Sequence, residues 1–561
     1  MTRGGDLTLP VNRVLVVAIV AIYAVLAASQ LNQLFVIDEM EFPRLAEAIS
    51  ETAKPIYYRG EETPRHLGTF HPPLYAYALG GWLAATGYSE TSVRLFGVLL
   101  MLGTSALGFR TLGFLGLRSP WPKTAFLAIF LLYPYTIQSA LLPDIDGTIL
   151  LFTSTLLLHE LARRLTASPL ATIPFVTGVG AVVALNLWAK LTSFPIFVVV
   201  VVAALVTQRA SRAIALAASS LAIGVAGFLA SWALVAVIIG TPFAYPFEFT
   251  IQSGLKGGFG EANIGELLAR LVPVDSTRYW IGWILPALLI WGITASARSW
   301  RASPQSRLMV VYGLWALGAY VMYSVLSGAP FGFPKYYIAS IPAAAMLSVV
   351  PFQRAIDLFV KRRIALSMAV AIALAAVASV VWLGSPPGDQ TRYRAPGLGF
   401  WLAIVAIALL AVGLITFRDR SEPRWIPSMV SLCLVALLVG FGVGLSWHQA
   451  YREDSVRYFP EEVGFVAVVD RMNLLLGDGE AFLAPKDVGS ATTNRYYQEE
   501  LLFPMPELLL EQLKDSTVRY AVVRKTWDYS YQIFPEVEVL IEEFMDVQET
   551  IGDFIIYERA R

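Results

Sequence analysis

Charge is scarce in this chain: Asp, Glu, Lys and Arg make up 15% of its 561 residues, while 56% are hydrophobic. A soluble globular chain carries about a quarter charged residues. The deficit excludes an ordinary water-facing surface over most of the length. Net charge is lacking too, with 42 basic residues against 42 acidic ones. That balance leaves no electrostatic footprint for nucleic acid, and none for adhesion to anionic lipid. Cysteine is nearly absent. Cys433 stands alone in an apolar run, which excludes an internal disulfide and leaves the redox compartment open. No internal repeat and no low-complexity segment is visible.

What the chain has instead is long hydrophobic runs. Crossing about 30 Å of hydrocarbon takes about twenty apolar residues. Runs of that kind begin at Val14, Val93, Thr124, Gly147, Ala171, Thr192, Ala213, Tyr279, Leu308, Tyr336, Ile364, Leu398 and Ile426. They predict a polytopic α-helical membrane protein with about thirteen transmembrane helices. The first run is too long for a signal-peptide core and no small-residue cleavage site follows it, so it reads as an uncleaved anchor.

One shorter apolar stretch, 72–87, decides the topology, because every later loop changes side if it spans. Short cytoplasmic loops collect Lys and Arg. If the stretch does not span, those loops hold Arg110, Arg118 and Lys123; Arg163 and Arg164; Arg209 and Arg212; Arg298, Arg301 and Arg307; Arg354, Lys361, Arg362 and Arg363; Arg418, Arg420 and Arg424. The opposite side receives Lys190, Lys256, Arg270, Arg278, Lys335, Arg392 and Arg394 over longer loops. The bias therefore predicts that 72–87, opened by Pro72 and Pro73, is a helix lying in or against the outer leaflet. The tail from His448 is a different material, charged throughout, with strand-like runs at 481–484, 518–524 and 554–558 and helix-like stretches around 463–476 and 506–513. The reading is a transmembrane domain over 1–447 and a small extracytoplasmic α/β domain over 448–561, in a multi-pass protein of the cell membrane.

Polar residues gather at particular outward loops. Ile37-Asp38-Glu39 follows the first run directly, then Thr69-Phe70-His71-Pro72-Pro73-Leu74-Tyr75, then Ser92-Val93-Arg94-Leu95 at the start of the next. Leu142-Pro143-Asp144-Ile145-Asp146-Gly147 lies between the third and fourth runs, Trp188-Ala189-Lys190 ends the fifth, and Gly332-Phe333-Pro334-Lys335-Tyr336-Tyr337 opens the tenth. On residues alone, Asp38 and Glu39 read either as a solvated helix end or as a functional pair, and Asp146 either as a helix N-cap or as a pocket residue. Lys190 reads either as a snorkelling side chain or as a site residue. Asp144 and Asp146 stand two apart, so on an extended segment both carboxylates would reach one point.

In series, these motifs resemble the C-type glycosyltransferase superfamily over about the first 350 residues, each loose alone and more specific in order. The similarity is nearest to the protein O-mannosyltransferases and the lipid A aminoarabinose transferases. The resemblance implies transfer of a sugar from a polyprenyl-phosphate carrier to a protein, lipid or glycan acceptor outside the cytoplasm, with membrane lipid as partner. It implies Asp38 as base with Glu39 beside it, and Arg94, His71, Lys335 and Tyr336 around the carrier phosphate. Asp144, Asp146 and Lys190 would shape the sugar or acceptor pocket. A Glu expected before the phosphate-contacting position is Phe70 here, which removes that ligand from any metal site. No cofactor is implied, apart from a divalent cation at Asp144 and Asp146 by analogy with oligosaccharyltransferases. Trp527-Asp528-Tyr529 matches an oligosaccharyltransferase signature only in part and reads as chance.

The rival reading is a transporter or flippase of a lipid-linked or small-molecule substrate. Carriers usually show repeated halves, interrupted helices or ionisable groups at mid-membrane. Here the charges sit at the ends of the runs, and Glu248, Lys256, Glu261 and Arg270 in a long outward loop read as solvated charge.

Overall fold

The structure is a computed structural model that describes residues 8–32, 35, 41–56, 68–256, 284–326, 338–360, 464–477, 480, 482–492, 497–498, 510, 513–514, 518–524 and 535–559. The runs expected at Ile364, Leu398 and Ile426 lie outside these residues, as do Asp38, Glu39, Lys335 and Tyr336. In chain order the helices begin with α1 (Thr8–Ala28), α2 (Glu41–Thr52), α3 (Leu74–Thr86), α4 (Glu90–Phe114), α5 (Pro120–Leu131) and α6 (Pro134–Leu141). They continue with α7 (Ile149–Leu165), α8 (Thr172–Ala189), α9 (Phe197–Thr207), α10 (Ala210–Ile239) and α11 (Tyr245–Lys256). Further helices cover Ile284–Ala297, Pro304–Leu326 and Ile341–Val360. Among the described residues, α4, α8 and α10 are each long and apolar enough to cross a membrane.

Among the described residues, some of the expected runs are interrupted. Pro134 disfavours helical backbone at the residue before it, and Tyr133 is extended at ψ 127°. The third run therefore breaks into α5 and α6, with Pro134 starting the second piece, where its missing N–H costs nothing. The sixth run opens as a 3-10 turn, Leu191–Ile196, carrying Pro195, and becomes α-helical only at Phe197. The stretch at 72–87 forms α3, whose 13 residues extend about 20 Å, short of the hydrocarbon thickness.

The chain divides into two compact units, and the first comprises Met1–Leu31, Gly68–Tyr75 and Arg94–Val456. Its core is a continuous apolar cluster that includes Tyr23 of α1, Phe126 and Phe130 of α5, Phe175 of α8 and Tyr312 of the Pro304–Leu326 helix. α8 and α10 approach through small residues: a β-carbon on Gly224 would meet the Gly180 carbonyl oxygen at 2.7 Å. Such contacts let backbones pack closely where lipid supplies no hydrophobic drive.

The second unit comprises Asn32–Leu67, Ala76–Val93 and Arg457–Arg561. Ala46 and Ile49 of α2 pack against Gly80 of α3, and Trp82 Nε1 donates to the Ser92 carbonyl at 2.9 Å. The tail forms a five-stranded sheet in the order β2-β1-β3-β5-β4. Its strands are β1 (Phe482–Leu483), β2 (Tyr497–Gln498), β3 (Tyr520–Arg524), β4 (Met545–Ile551) and β5 (Phe554–Arg559). β1 runs parallel to β2 and β3, while β5 is antiparallel to β3 and β4. β3 is buried along its whole length, whereas β4 lies at the edge and buries only Met545. On β4 Asp546 is exposed, and Glu549 accepts from Arg471 Nε at 2.7 Å. The helices Phe465–Leu475, Lys486–Ala491 and Pro535–Phe544 complete the described tail.

Candidate functional site

The loop between α6 and α7 organises the polar residues of the first unit. α6 ends at Leu142, whose backbone is extended at ψ 113°. The turn that follows is closed from within: Asp144 N donates to the Leu142 carbonyl at 2.8 Å, and Asp146 N donates to Asp144 Oδ1 at 3.1 Å. Thr148 Oγ1 donates to the Asp144 carbonyl at 2.6 Å. An Asp side chain that accepts from the backbone two residues on is a standard way to fix such a turn. The N-cap of α7 is Thr148, with no side-chain cap bond, so the alternative of Asp146 as a helix cap does not hold.

Lys190 reaches this loop from 44 residues further along. Its Nζ lies 2.8 and 2.6 Å from the two carboxylate oxygens of Asp146. The residues are 9% and 4% exposed, so Lys190 does not snorkel toward water. Removing one partner of a buried pair costs about 3–5 kcal/mol, because the other is left as an uncompensated charge. The two carboxylates are thus engaged differently, Asp146 on an ammonium and Asp144 on a backbone N–H. Among the described residues no group of three metal-ligating side chains occurs, and Asp146 holding both oxygens on Lys190 fits poorly with a cation shared between the two.

Asn186 fixes the backbone from which Lys190 projects. Its side chain, fully buried, donates to the Thr153 and Val182 carbonyls at 3.1 and 3.0 Å and accepts from Ser154 Oγ at 3.1 Å. Its own carbonyl accepts from Lys190 N at 2.9 Å and from Ser193 Oγ at 3.0 Å. Trp188 lies edge-on to Phe228 and Trp232 and donates to Ser231 Oγ at 2.8 Å. An Asn in an apolar helix is itself a signal of a polar node, and Asn186 was open to that reading from sequence.

Arg94, near the start of α4, is 2% exposed. Its Nε donates to the Leu141 carbonyl at 3.2 Å, and its Nη1 lies 3.5 Å from the Leu31 carbonyl. The fork expected to grip a phosphate is therefore turned in part to the backbone. Tyr75, at the start of α3, joins the loop from another side. Burial pushes its phenol well above the ordinary tyrosine range; the neighbouring Thr148 hydroxyl opposes the rise and the charge on Asp144 adds to it. Arg94, Tyr75, Asp144, Asp146 and Lys190 thus meet around one turn.

His71 belongs to a second group. Its ring lies 5.3 Å from Phe70 and 5.5 Å from Phe249 of α11, edge-on to the latter. Thr69 and Thr241 share a hydrogen bond of 2.7 Å beside it. The segment before α3 is thereby joined to the loop after α10, a link that no sequence motif announced.

No family model matches the chain, and no curated protein matches its sequence. Solved structures do. ArnT from Cupriavidus metallidurans bound to undecaprenyl phosphate superposes with a TM-score of 0.60 at 17% identity, over 97% of this chain and 97% of that one. The same protein in its apo state gives 0.60 at 16%, again over 97% of each. At such identity the likeness carries the fold and nothing finer, but it carries it from end to end. The chain is a helical integral membrane protein that shares its fold with ArnT from Cupriavidus metallidurans.

Proposed function

We propose that this protein transfers a sugar from a polyprenyl-phosphate carrier to an acceptor on the extracytoplasmic face of the cell membrane. The observation that carries the reading is the convergence of Arg94, Tyr75, Asp144, Asp146 and Lys190 on the α6–α7 turn. Full-length likeness to a protein solved with undecaprenyl phosphate supports the carrier class. About thirteen spans, with the tail outside the cytoplasm, put that turn and the acidic pair after α1 on the same side.

The reaction asks little of a general acid, because the departing phosphate is already a good leaving group. It asks for a base and for positive charge where the phosphate gains it. In the proposed step the acceptor gives its proton to Asp38, with Glu39 orienting the acceptor. The acceptor atom bonds to the anomeric carbon as the bond from that carbon to the phosphate oxygen breaks. The carrier leaves as a polyprenyl phosphate, and one displacement inverts the anomeric centre. Lys335, Tyr336 and His71 meet the phosphate, while Arg94 adds its charge from behind the α6–α7 turn. No cofactor is needed for this chemistry.

The test is direct. The protein, purified in detergent, is assayed against a panel of polyprenyl-phosphate sugars with extracytoplasmic lipid, glycan and peptide acceptors. Turnover of one donor is the expected result. Failure with every donor, by a protein that still carries a lipid-linked or soluble substrate across vesicles, would favour transport.

A further inference from the structure

We propose that Lys190 and Asp146 form a standing ion pair that positions the α6–α7 turn, so that Lys190 is a positioning residue and touches neither donor nor acceptor. The inference rests on the sugar-transfer reading above and assigns a distinct job to two residues of that site. Three observations carry it.

The pairing uses both carboxylate oxygens of Asp146 on the single Nζ of Lys190, at 2.8 and 2.6 Å. With the residues 4% and 9% exposed, the contact is made inside the protein. A charge held in this way is satisfied before any substrate arrives.

The backbone of Lys190 is fixed independently of the pair. It leaves α8 in an extended conformation, φ −163° and ψ 131°, with its N–H on Asn186 and its carbonyl accepting from Ser193 N at 3.0 Å. Asn186 is bolted to α7 through Thr153 and Ser154. Lys190 is therefore a strut with a rigid foot.

What the strut holds is the turn. Asp146 N is bonded to Asp144 Oδ1, Thr148 Oγ1 to the Asp144 carbonyl, and Arg94 Nε to the Leu141 carbonyl. Displacing Asp146 displaces Asp144 and the anchor of Arg94 together. Lys190 also offsets one of two carboxylates only two residues apart, which would otherwise repel an anionic donor.

The experiment uses the full chain in detergent with a polyprenyl-phosphate sugar that the wild type turns over. Four variants are compared: Lys190→Met, Lys190→Arg, Asp146→Asn and the double Lys190→Met/Asp146→Asn. A displaced turn costs about a hundredfold in turnover, so Lys190→Met should fall that far while its Kd for the bare polyprenyl phosphate changes by less than about threefold. Lys190→Arg should retain more turnover than Lys190→Met. The double variant should regain about tenfold over Lys190→Met, since no buried charge is left stranded.

A rise of tenfold or more in the Kd of Lys190→Met, with turnover kept, would overturn the proposal and make Lys190 a donor ligand. A double variant no better than either single would overturn it as well. A merely structural role would lower folded protein and turnover in proportion, leaving turnover per folded molecule unchanged. If the wild type turns over no such donor, the transfer reading fails by itself. Thermal unfolding of the same proteins without donor then still decides the pair, through non-additive shifts if it stands and additive ones if it does not.

Discussion

A β-carbon on Gly97 would lie 2.2 Å from the carbonyl oxygen of Ala140, closer than any side chain tolerates. α4 and α6 therefore meet backbone to backbone, one residue before the Leu141 carbonyl that receives Arg94. The position of Arg94 depends on this contact, because α4 carries both Gly97 and the guanidinium.

Gly97→Val should consequently damage more than packing. Overfilling a tight contact costs about 1–3 kcal/mol, and here the obstacle is backbone, which yields less than a side chain. Thermal unfolding in detergent should show a lower midpoint, and turnover per folded molecule should fall as well. Gly81→Ala in α3, where an added β-carbon meets nothing within 4 Å, is the matched control. Replacing a helical Gly by Ala there should stabilise by about 0.5–1 kcal/mol. Equal effects at the two glycines would remove the argument from close approach.

Much of the fold was legible because lipid imposes a length on helices, and apolar runs report that length directly. The ends were less legible. The Thr124 run looked continuous, yet Pro134 divides it, and the signal was present in the proline itself. β1 and β3 fell within runs that already looked strand-like, and β5 runs one residue past the expected 554–558, to Arg559. β4 alternates charge with Val547 and Ile551 and gave no such run. At the site, sequence singled out Asp144, Asp146, Lys190 and Arg94, and the structure brings them around one turn. It did not reveal that Lys190 closes on Asp146, or that Arg94 braces carbonyls of Leu31 and Leu141. Such pairings depend on how helices distant in sequence pack, which periodicity does not encode.

The topology makes its own prediction. A cysteine introduced at Asp470, exposed on the Phe465–Leu475 helix, in a Cys433→Ala background, should react with a membrane-impermeant thiol reagent in intact cells. The expectation follows from the positive-inside count, which predicts that helix outside the cytoplasm. Reaction only after lysis would invert the tail, and with it the side on which transfer is proposed to occur.

For Asp38→Asn the expected result is loss of transfer with retention of the carrier. A general base contributes about two to four orders of magnitude, while the amide keeps the shape of the carboxylate. Binding of polyprenyl phosphate, measured by displacement of a fluorescent analogue, should stay within a few-fold of wild type. If turnover survives within a few-fold too, another carboxylate takes the acceptor proton, and Glu39 and Asp144 are the next to substitute.

Arg94 separates a field acting on the phosphate from a simple brace. In the proposed step the phosphate gains charge as the glycosidic bond breaks, so a nearby cation stabilises the transition state more than the bound donor. Arg94→Lys keeps the charge but loses the planar fork that spans the Leu31 and Leu141 carbonyls. Its turnover should fall about tenfold, with donor affinity changed less. Arg94→Met loses charge and brace together and should fall about 10²–10³-fold, the range seen when one electrostatic donor is removed from a preorganised site. If Arg94 were only a brace, Lys and Met would harm turnover equally, since neither restores the two carbonyl contacts. If it were only an interfacial side chain, Arg94→Lys would turn over at the wild-type rate. Ordering of Arg above Lys above Met, in turnover more than in affinity, is the pattern that a charge behind the phosphate requires.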